Sequence, residues 1–178
     1  MTGSGCGNDA AAAKRELRSR MRVVRRAIAD DGAERARRSA IIGVRIVDEL
    51  TSRWAATSMA GRRLLVYQPL PGEPDLSVVE RWAVAAEIER FTPVVDGVAL
   101  RVMPGDVDPE ALDAVIVPGV AFTTTGRRLG QGGGHFDRFL PRLAPAALTI
   151  GVAFAEQLVD DLPAVAHDVA VQRVITDA

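Results

Sequence analysis

A glycine-rich segment flanked by arginines is the part of the chain best suited to bind phosphate. It covers residues 126–138 and reads Gly-Arg-Arg-Leu-Gly-Gln-Gly-Gly-Gly-His-Phe-Asp-Arg. Glycine adopts positive φ without a Cβ clash, and successive backbone N–H groups in such a turn form a concave site for anions. The flanking arginines would add charge-assisted hydrogen bonds to phosphate oxygens, and Asp137 supplies a hard oxygen of the kind that binds Mg²⁺. The pattern favours a nucleotide-phosphate site.

This segment differs from two common phosphate-binding sequences. It lacks the Gly-Lys-[Ser/Thr] ending of a P-loop, and its spacing of Gly130, Gly132 and Gly134 does not fit the dinucleotide fingerprint. Glycine content alone would also suit a flexible loop without a ligand. The flanking charges favour the phosphate-binding interpretation.

Composition indicates one globular domain and excludes few functions. The chain has 178 residues, 48% of them hydrophobic and 25% charged, with a formal net charge of −1. Between Lys14 and Arg38, ten Lys or Arg residues accompany four acidic ones. This local excess leaves open a nucleic-acid-binding module that uses the basic N-terminal helices, or simply a solvated basic face.

Cysteine usage and hydropathy predict a cytoplasmic protein that does not span a membrane. Cys6 is the single cysteine, so an internal disulfide is impossible, which suits a reducing compartment. No apolar run approaches the length of a membrane span, and the start of the sequence lacks the pattern of a signal peptide. We expect residues 1–9 to form a disordered leader and residues 10–178 to form a single domain.

Alternating helical and strand patterns predict an α/β fold, a single domain with a mainly parallel sheet and helices on both faces. The expected inner faces of the first three helices are Leu17, Met21, Val24 and Ile28; then Ala36, Ala40, Val44, Val47 and Trp54; then Leu76, Val79, Ala83 and Ala86. Strands are expected at 64–67, 114–117, 148–153 and 171–175, a hairpin with an Asp96-Gly97 type I′ turn at 92–102, and a short helix at 136–140. Ligands of such sheets bind beyond the carboxyl ends of the strands. The segments after Tyr67, Val117 and Phe154 are therefore expected to face one crevice.

Two long motifs of the chain are Val117-Pro118-Gly119-Val120-Ala121-Phe122 and Gly126-x-Arg128-Leu129-Gly130-x-Gly132-x-Gly134-x-x-Asp137-Arg138. They show a close resemblance to the signature of the 5-formyltetrahydrofolate cyclo-ligase family, also called 5,10-methenyltetrahydrofolate synthetase. The resemblance extends over most of the chain through Lys14-x-x-x-Arg18, Tyr67-Gln68-Pro69-Leu70-Pro71-Gly72-Glu73, Gln157-Leu158-x-x-x-Leu162-Pro163 and His167-Asp168.

The resemblance implies an ATP- and Mg²⁺-dependent cyclisation of 5-formyltetrahydrofolate to 5,10-methenyltetrahydrofolate, with release of ADP and phosphate. Its implied ATP-binding residues are Lys14, Arg18, Arg128, Leu129, Gly130, Gln131, Gly132, Gly133, Gly134, His135 and Phe136, with Arg128 and Asp137 as catalytic residues. Its implied substrate-binding residues are Tyr67, Glu73, Gln131, Gly132, Gly133, Gly134 and His135, and its implied metal ligands are Asp137 and Asp168. The implied partners are ATP and a reduced folate, without nucleic acid or membrane, for a monomer or weak dimer.

Three departures from the family pattern leave a further alternative open. His135-Phe136 stands where the family usually has Tyr-Tyr, the 93–112 region is short, and Gln172 occupies a position where aspartate is common. A catalytically reduced relative that binds folate or nucleotide would also fit these departures.

Simpler structural roles compete with some of the implied ones. Glu73 could cap the helix that begins near Asp75 and Ser77. Asp168 could be an ordinary turn residue and His167 a structural one. Trp54 and Trp82, on helical stripes, are predicted to belong to the core.

Overall fold

The computed structural model describes residues 5–163 and 168–178. Its helices are α1 (Gly5–Asp30), α2 (Gly32–Trp54), α3 (Ser77–Ala85) and α4 (His135–Phe139). Its strands are β1 (Arg63–Leu65), β2 (Glu89–Asp96), β3 (Ala99–Met103), β4 (Ala114–Pro118), β5 (Ala121–Phe122), β6 (Arg128–Leu129), β7 (Leu148–Val152) and β8 (Arg173–Ile175). Short 3₁₀ turns lie at Pro109–Ala111, Leu140–Arg142 and Ala155–Gln157.

Six of the strands form one sheet in the order β3-β2-β1-β4-β7-β8. Strand β1 pairs in parallel with β2 and β4, β4 with β7, and β7 with β8, whereas β2 and β3 pair antiparallel. The central strands are apolar on both faces, as a sheet covered on both sides requires. In β4, for example, Val115, Ile116 and Val117 are all fully buried.

Helices cover both faces of this sheet. On one face, Ile46 of α2 and Val79 of α3 pack with Ile116 of β4. On the other face, Phe139 of α4 packs with Val115 of the same strand. The predicted α/β class, with a mainly parallel sheet between helices, is confirmed.

Helix α1 follows the predicted pattern. Met21 and Ile28 of its apolar stripe are buried, and Leu17 and Val24 are half-buried. Its bounds begin at Gly5, within the segment predicted as a leader, so the division into leader and domain stays a prediction. Met21 packs on the small β5–β6 sheet, which places the first helix directly against the glycine-rich segment.

The predicted inner face of α2 was wrong. Ala36, Ala40 and Val44 are exposed and Val47 is half-buried, whereas Trp54 is buried as expected. The helix instead buries Ser39, Ile42, Gly43, Ile46, Leu50 and Trp54. The stripe of Ile and Leu removes more apolar surface from water than the stripe of Ala and Val, and burial free energy scales with that area. Gly43 also permits close packing, because a Cβ added there would lie 2.7 Å from the Cβ of Val78.

The predicted hairpin is present, with a different turn. Asp96 pairs with Ala99, so the two loop residues are Gly97 and Val98 rather than Asp96 and Gly97. Gly97 has φ 58° at the first loop position, which is where a type II′ turn places glycine. The remaining strands and the short helix agree with their predicted positions to within a few residues. Trp54 and Trp82 stack with ring centroids 6.4 Å apart, which confirms their place in the core.

Among the helices of the described residues, none is both long and apolar enough to cross a membrane.

Candidate active site

A cavity of about 750 Å³ opens beyond the carboxyl ends of β1 and β4. It is lined by every residue that the sequence implicated in binding or catalysis: Lys14, Arg18, Tyr67, Glu73, Arg128, Leu129, Gly130, Gln131, Gly132, Gly133, Gly134, His135, Phe136, Asp137 and Asp168. These residues come from four separate parts of the chain. The fold therefore brings the predicted set together in one place.

The segment after Phe154 reaches the cavity through Asp168, as expected, whereas none of the described residues 155–163 lines it. The 3₁₀ turn after Phe154 lies instead behind the site, where Gln157 is 1% exposed. Its side-chain amide donates hydrogen bonds to the carbonyl oxygens of Gly119 and Val120, and its Oε1 accepts from the Phe154 backbone N–H. Gln157 thus holds in place the backbone after β4, part of which lines the cavity.

The glycine-rich segment forms an irregular turn between β6 and α4. Gly132 has φ 115° and Gly134 has φ 64°, conformations that residues with a Cβ rarely adopt. Arg18 of α1 donates from Nε to the Gly130 carbonyl oxygen over 2.9 Å. Arg138 donates to the carbonyl oxygens of Gly133 and Val98. These contacts fasten the turn to α1 on one side and to the β2–β3 hairpin on the other.

Lys14 is a buried cation at this site. It is 9% exposed, and its Nζ lies 2.6 Å from the nearer carboxylate oxygen of Asp168. A solvated basic face is therefore the wrong description of Lys14. Asp168 likewise does more than form a turn, because it ion-pairs across the cavity with the first helix. His167, its neighbour in the sequence, lies outside the described residues.

A second ion pair joins Arg128 to Asp137. Arg128 Nη2 donates to Asp137 Oδ1 over 2.7 Å, and the side chains are 3% and 17% exposed. Burial lowers the pKa of the Arg128 guanidinium from its usual value, an effect that the nearby Asp137 and Asp168 charges oppose. The guanidinium carbon lies 5.7 Å from the centre of the Phe136 ring. Its Nε is buried and has no hydrogen-bond partner among the described residues.

Glu73 is held in place by several donors. Its Oε1 accepts from Arg25 over 2.9 Å and from Gln131 over 3.4 Å, and its Oε2 accepts from the Leu70 backbone N–H over 2.9 Å. Glu73 does not cap α3. The N-cap residue of α3 is Leu76, and just before it Asp75 Oδ1 accepts from the Ser77 backbone N–H.

Tyr67 stands beside Glu73 as a neutral phenol. Burial, reinforced by the negative charge of Glu73, raises the pKa of Tyr67 well above its usual value. Its hydroxyl donates to the carbonyl oxygen of Pro74 over 3.3 Å. The ring is 3% exposed, so Tyr67 offers the cavity an apolar face more than a reactive oxygen.

Asp137 and Asp168 are the two aspartates among the described residues that line the cavity. Within the described residues, no three His, Cys, Asp or Glu side chains cluster as a self-sufficient metal site. Mg²⁺ in nucleotide sites is typically bound by one or two carboxylates, with phosphate oxygens and water completing its shell. Two hard-oxygen side chains on a cavity rich in cations fit that ion when it arrives with a phosphate ligand.

Two parts of the site were not predicted from the sequence. Arg25 lies on the basic first helix, and its ion pair with Glu73 was not predicted. The hairpin was predicted, but the role of its residues Pro93, Val95 and Leu100 in lining the cavity was not. A signal for Arg25 existed in its spacing, seven residues after Arg18 and hence on the same side of the helix.

Fold and site together define an α/β protein in which a glycine-rich turn, a cationic first helix and two carboxylates surround a single cavity. Residues 99–177 match the model of the 5-formyltetrahydrofolate cyclo-ligase family. The solved structure of a 5,10-methenyltetrahydrofolate synthetase from Aquifex aeolicus is 30% identical, with a TM-score of 0.73, over 92% of this chain and 89% of that one. The chain belongs to the 5-formyltetrahydrofolate cyclo-ligase family.

Other relatives agree with this assignment. A synthetase structure from Mycoplasma pneumoniae has the same fold, with a TM-score of 0.82 at 24% identity over 93% of this chain and 99% of that one. The cyclo-ligase of Mycolicibacterium smegmatis is 40% identical over 74 residues, and that of Mus musculus is 36% identical over 80 residues. The aligned parts span 42% and 40% of this chain, and only 38% and 39% of those two relatives.

Proposed function

We propose that this protein catalyses the ATP-dependent cyclisation of 5-formyltetrahydrofolate to 5,10-methenyltetrahydrofolate, with release of ADP and phosphate. One observation carries the proposal: the residues suited to bind phosphate and the turn that contains Glu73 line the same cavity. The relatives from Mycolicibacterium smegmatis and Mus musculus are named 5-formyltetrahydrofolate cyclo-ligases, which supports the same substrate.

The chemistry requires activation of a poorly reactive formamide. The formyl oxygen attacks the γ-phosphorus of ATP, and the bond between that phosphorus and the ADP oxygen breaks. N10 of the folate then attacks the formyl carbon and loses its proton, and the C–O bond breaks so that the formyl oxygen leaves with the phosphate. Positioning and neutralisation of charge account for most of the catalysis of such phosphoryl transfers.

The phosphate side of the cavity is cationic before any ligand arrives. Lys14 and Arg18 from α1 and Arg128 from β6 line it together with the glycine-rich turn. In our proposal, Lys14 and Arg18 bind the triphosphate, and the backbone of the turn wraps it. Arg128 would stabilise negative charge on the transferred phosphoryl group. Because ion pairs already hold Lys14 and Arg128, little side-chain entropy is lost when phosphate binds.

Asp137 and Asp168 would hold Mg²⁺ with the nucleotide. When bound, the ion supplies positive charge to the phosphate oxygens and helps to orient them. Each carboxylate now pairs with a cation that also lines the cavity, Asp137 with Arg128 and Asp168 with Lys14. These pairs keep the two carboxylates on the cavity wall.

The folate side consists of Tyr67, Glu73, the residues from Gln131 to His135, and the hairpin. Glu73 would accept hydrogen bonds from N–H groups of the pterin or of the amide that bears the formyl group. Pro93, Val95 and Leu100 give this side an apolar wall suited to the flat ring system of the substrate.

Turnover tests the proposal directly. The protein is incubated with Mg-ATP and 5-formyltetrahydrofolate while methenyl-folate absorbance and phosphate release are followed together. We expect one phosphate for each methenyl-folate formed, and neither product when ATP is omitted. Binding of ATP without any product would refute the catalytic proposal and favour a reduced relative that only binds its ligands.

The basic first helix gives little support to a nucleic-acid function. Lys14, Arg18 and Arg25 direct their charges to Asp168, the Gly130 carbonyl and Glu73, all at the cavity. We therefore expect no measurable binding of RNA to the purified protein at physiological salt. The cytoplasmic location stays a prediction. The monomeric or weakly dimeric state also stays a prediction, and light scattering can test it.

A further inference from the structure

Arg25 and Glu73 form a buried ion pair between α1 and the turn after β1. Arg25 Nη2 lies 2.9 Å from Glu73 Oε1, and the side chains are only 10% and 6% exposed. The same Nη2 reaches the Pro71 carbonyl oxygen at 3.4 Å. Arg25 Nε is buried without a hydrogen-bond partner among the described residues. Burying a guanidinium with one donor unpaired is costly, so the remaining contacts to this turn must compensate.

The turn that carries Glu73 is fitted to the backbone of α1 at Arg25. Gly72 has φ 76°, and a Cβ added there would overlap the Arg25 backbone carbonyl. Arg35 of α2 donates from Nε to the Glu73 carbonyl oxygen over 3.0 Å, and the Glu73 backbone N–H donates to the Leu70 carbonyl oxygen over 2.9 Å. Apart from the 3.4 Å contact with the Pro71 carbonyl oxygen, the backbone of the turn is therefore fixed without the Arg25 side chain. What Arg25 adds is control of the carboxylate itself.

The hydrogen bonds of the carboxylate show where a ligand would bind. Each carboxylate oxygen has about two acceptor sites. Oε1 of Glu73 uses both, one for Arg25 and one for Gln131. Among the described residues, Oε2 accepts from the Leu70 backbone N–H, which leaves an acceptor site in a group that lines the cavity. A ligand N–H group is the partner that this remaining site would accept.

We infer that Arg25 is a positioning residue for the folate, because its contact with Glu73 Oε1 turns Oε2 towards the N–H groups of the bound substrate. The inference rests on the proposed function and adds to it a residue remote from the phosphate side. Arg25 does not line the cavity and acts through Glu73. Its loss should weaken folate binding and leave ATP binding unchanged, since Lys14 and Arg18 lie two to three helical turns away.

Steady-state kinetics of Arg25→Leu tests this inference. We expect the KM for 5-formyltetrahydrofolate to rise about tenfold or more, the scale of a lost charge-assisted hydrogen bond, with the KM for ATP unchanged within about twofold. Arg25→Lys should give a smaller rise, because an ammonium keeps the charge and lacks the planar fork of donors. Arg26→Leu is the matched control: Arg26 is exposed on the same helix, and both KM values should stay at their wild-type level.

A double-mutant cycle with Glu73→Gln separates positioning from general damage to the fold. If Arg25 acts through Glu73, Arg25→Leu should raise the folate KM little further in the Glu73→Gln background. The double variant also removes both charges of the buried pair, so it remains informative if Arg25→Leu alone fails to fold. A full additional rise in the double variant would show that Arg25 acts by another route.

The possible failures point to different errors. Absence of turnover by the wild-type protein would refute the proposed function and, with it, this inference. Turnover by the wild type with an unchanged folate KM in folded Arg25→Leu would refute the inference alone. An equal rise of both KM values in Arg25→Leu would also refute it, because a distorted cavity would then be the cause.

Discussion

Removal of the Asp137 carboxylate should both stop turnover and lower the stability of the fold. Arg128, its partner, is 3% exposed at the side chain, so the guanidinium has almost no access to water. Its charge is held in the protein by the 2.7 Å contact with Asp137 and by the more distant Asp168. Asp137→Ala would leave the buried cation without its principal counterion.

The expected size of the effect follows from that burial. Breaking a buried ion pair by removing one partner costs about 3–5 kcal/mol. Asp137 itself is 17% exposed, so water can partly replace it and the lower end of that range applies. A loss of about 3 kcal/mol in a domain of this size corresponds to a Tm lower by about 6–12 °C. Asp137→Asn keeps an acceptor oxygen for Arg128 and should lose less than half as much.

Thermal unfolding and the coupled turnover assay measure the two effects on the same samples. The matched control is Asp161→Ala, which removes the partner of the neighbouring Arg127. Because Asp161 is 80% exposed, its loss should change stability by less than about 1 kcal/mol and leave turnover intact. An Asp137→Ala protein as stable as the wild type would show that burial of Arg128 has been misjudged. Undiminished turnover by Asp137→Ala would show that Asp137 neither binds the metal ion nor takes part in catalysis.

Two further predictions concern the frame around the site. Gly126→Ala should lose more than about 2 kcal/mol of stability, because Gly126 has φ 86° and an added Cβ would overlap the Val171 carbonyl. Gly97→Ala is its control in chemical denaturation, because Gly97 also has a positive φ but no atom lies within 4 Å of an added Cβ. Equal losses of stability in the two variants would contradict the explanation by overlap at Gly126. Arg38 fastens Asp177 to α2. Burial alone would raise the pKa of Asp177, but hydrogen bonds from Arg38 and from the Ala155 backbone N–H lower it below the usual 3.8. A carboxyl whose folded-state pKa is lowered stabilises the protein above its unfolded-state value, and this contribution is lost as pH falls through the folded-state value. Arg38→Met should therefore be about 1.5–3 kcal/mol less stable at pH 7, a deficit that narrows below about pH 4; a deficit constant down to pH 2 would contradict the ion-pair explanation.

The sequence predicted those parts of the fold in which large apolar side chains occur at the buried positions. The stripe through Met21 and Ile28 and the apolar run of β4 were read correctly because large side chains mark the buried positions. The inner face of α2 was misread because Ala and Val stripes compete with Ile and Leu on the same helix. Which stripe is buried depends on the area offered by the packing partner, and that is a tertiary property.

The site was predictable where its residues are close together in the sequence or carry a family motif. The glycine-rich segment brings Arg128 and Asp137 within nine positions, and the resemblance supplied Lys14, Glu73 and Asp168. The partner of Glu73 is 48 positions away on another element, and no local pattern encodes such a contact. The apolar wall formed by the hairpin could not be predicted either, because the order of the strands in the sheet sets its distance from the glycine-rich turn.

In the proposed function one helix serves both substrates, and this role would constrain its length. Arg25 follows Lys14 by eleven residues, a separation of about 16 Å at 1.5 Å per residue. Insertion of one residue between Arg18 and Arg25 would rotate the two ends of α1 by about 100° relative to each other. With the cations kept at the nucleotide, Arg25 would then face away from Glu73, so we expect neither insertions nor deletions to be tolerated in this stretch.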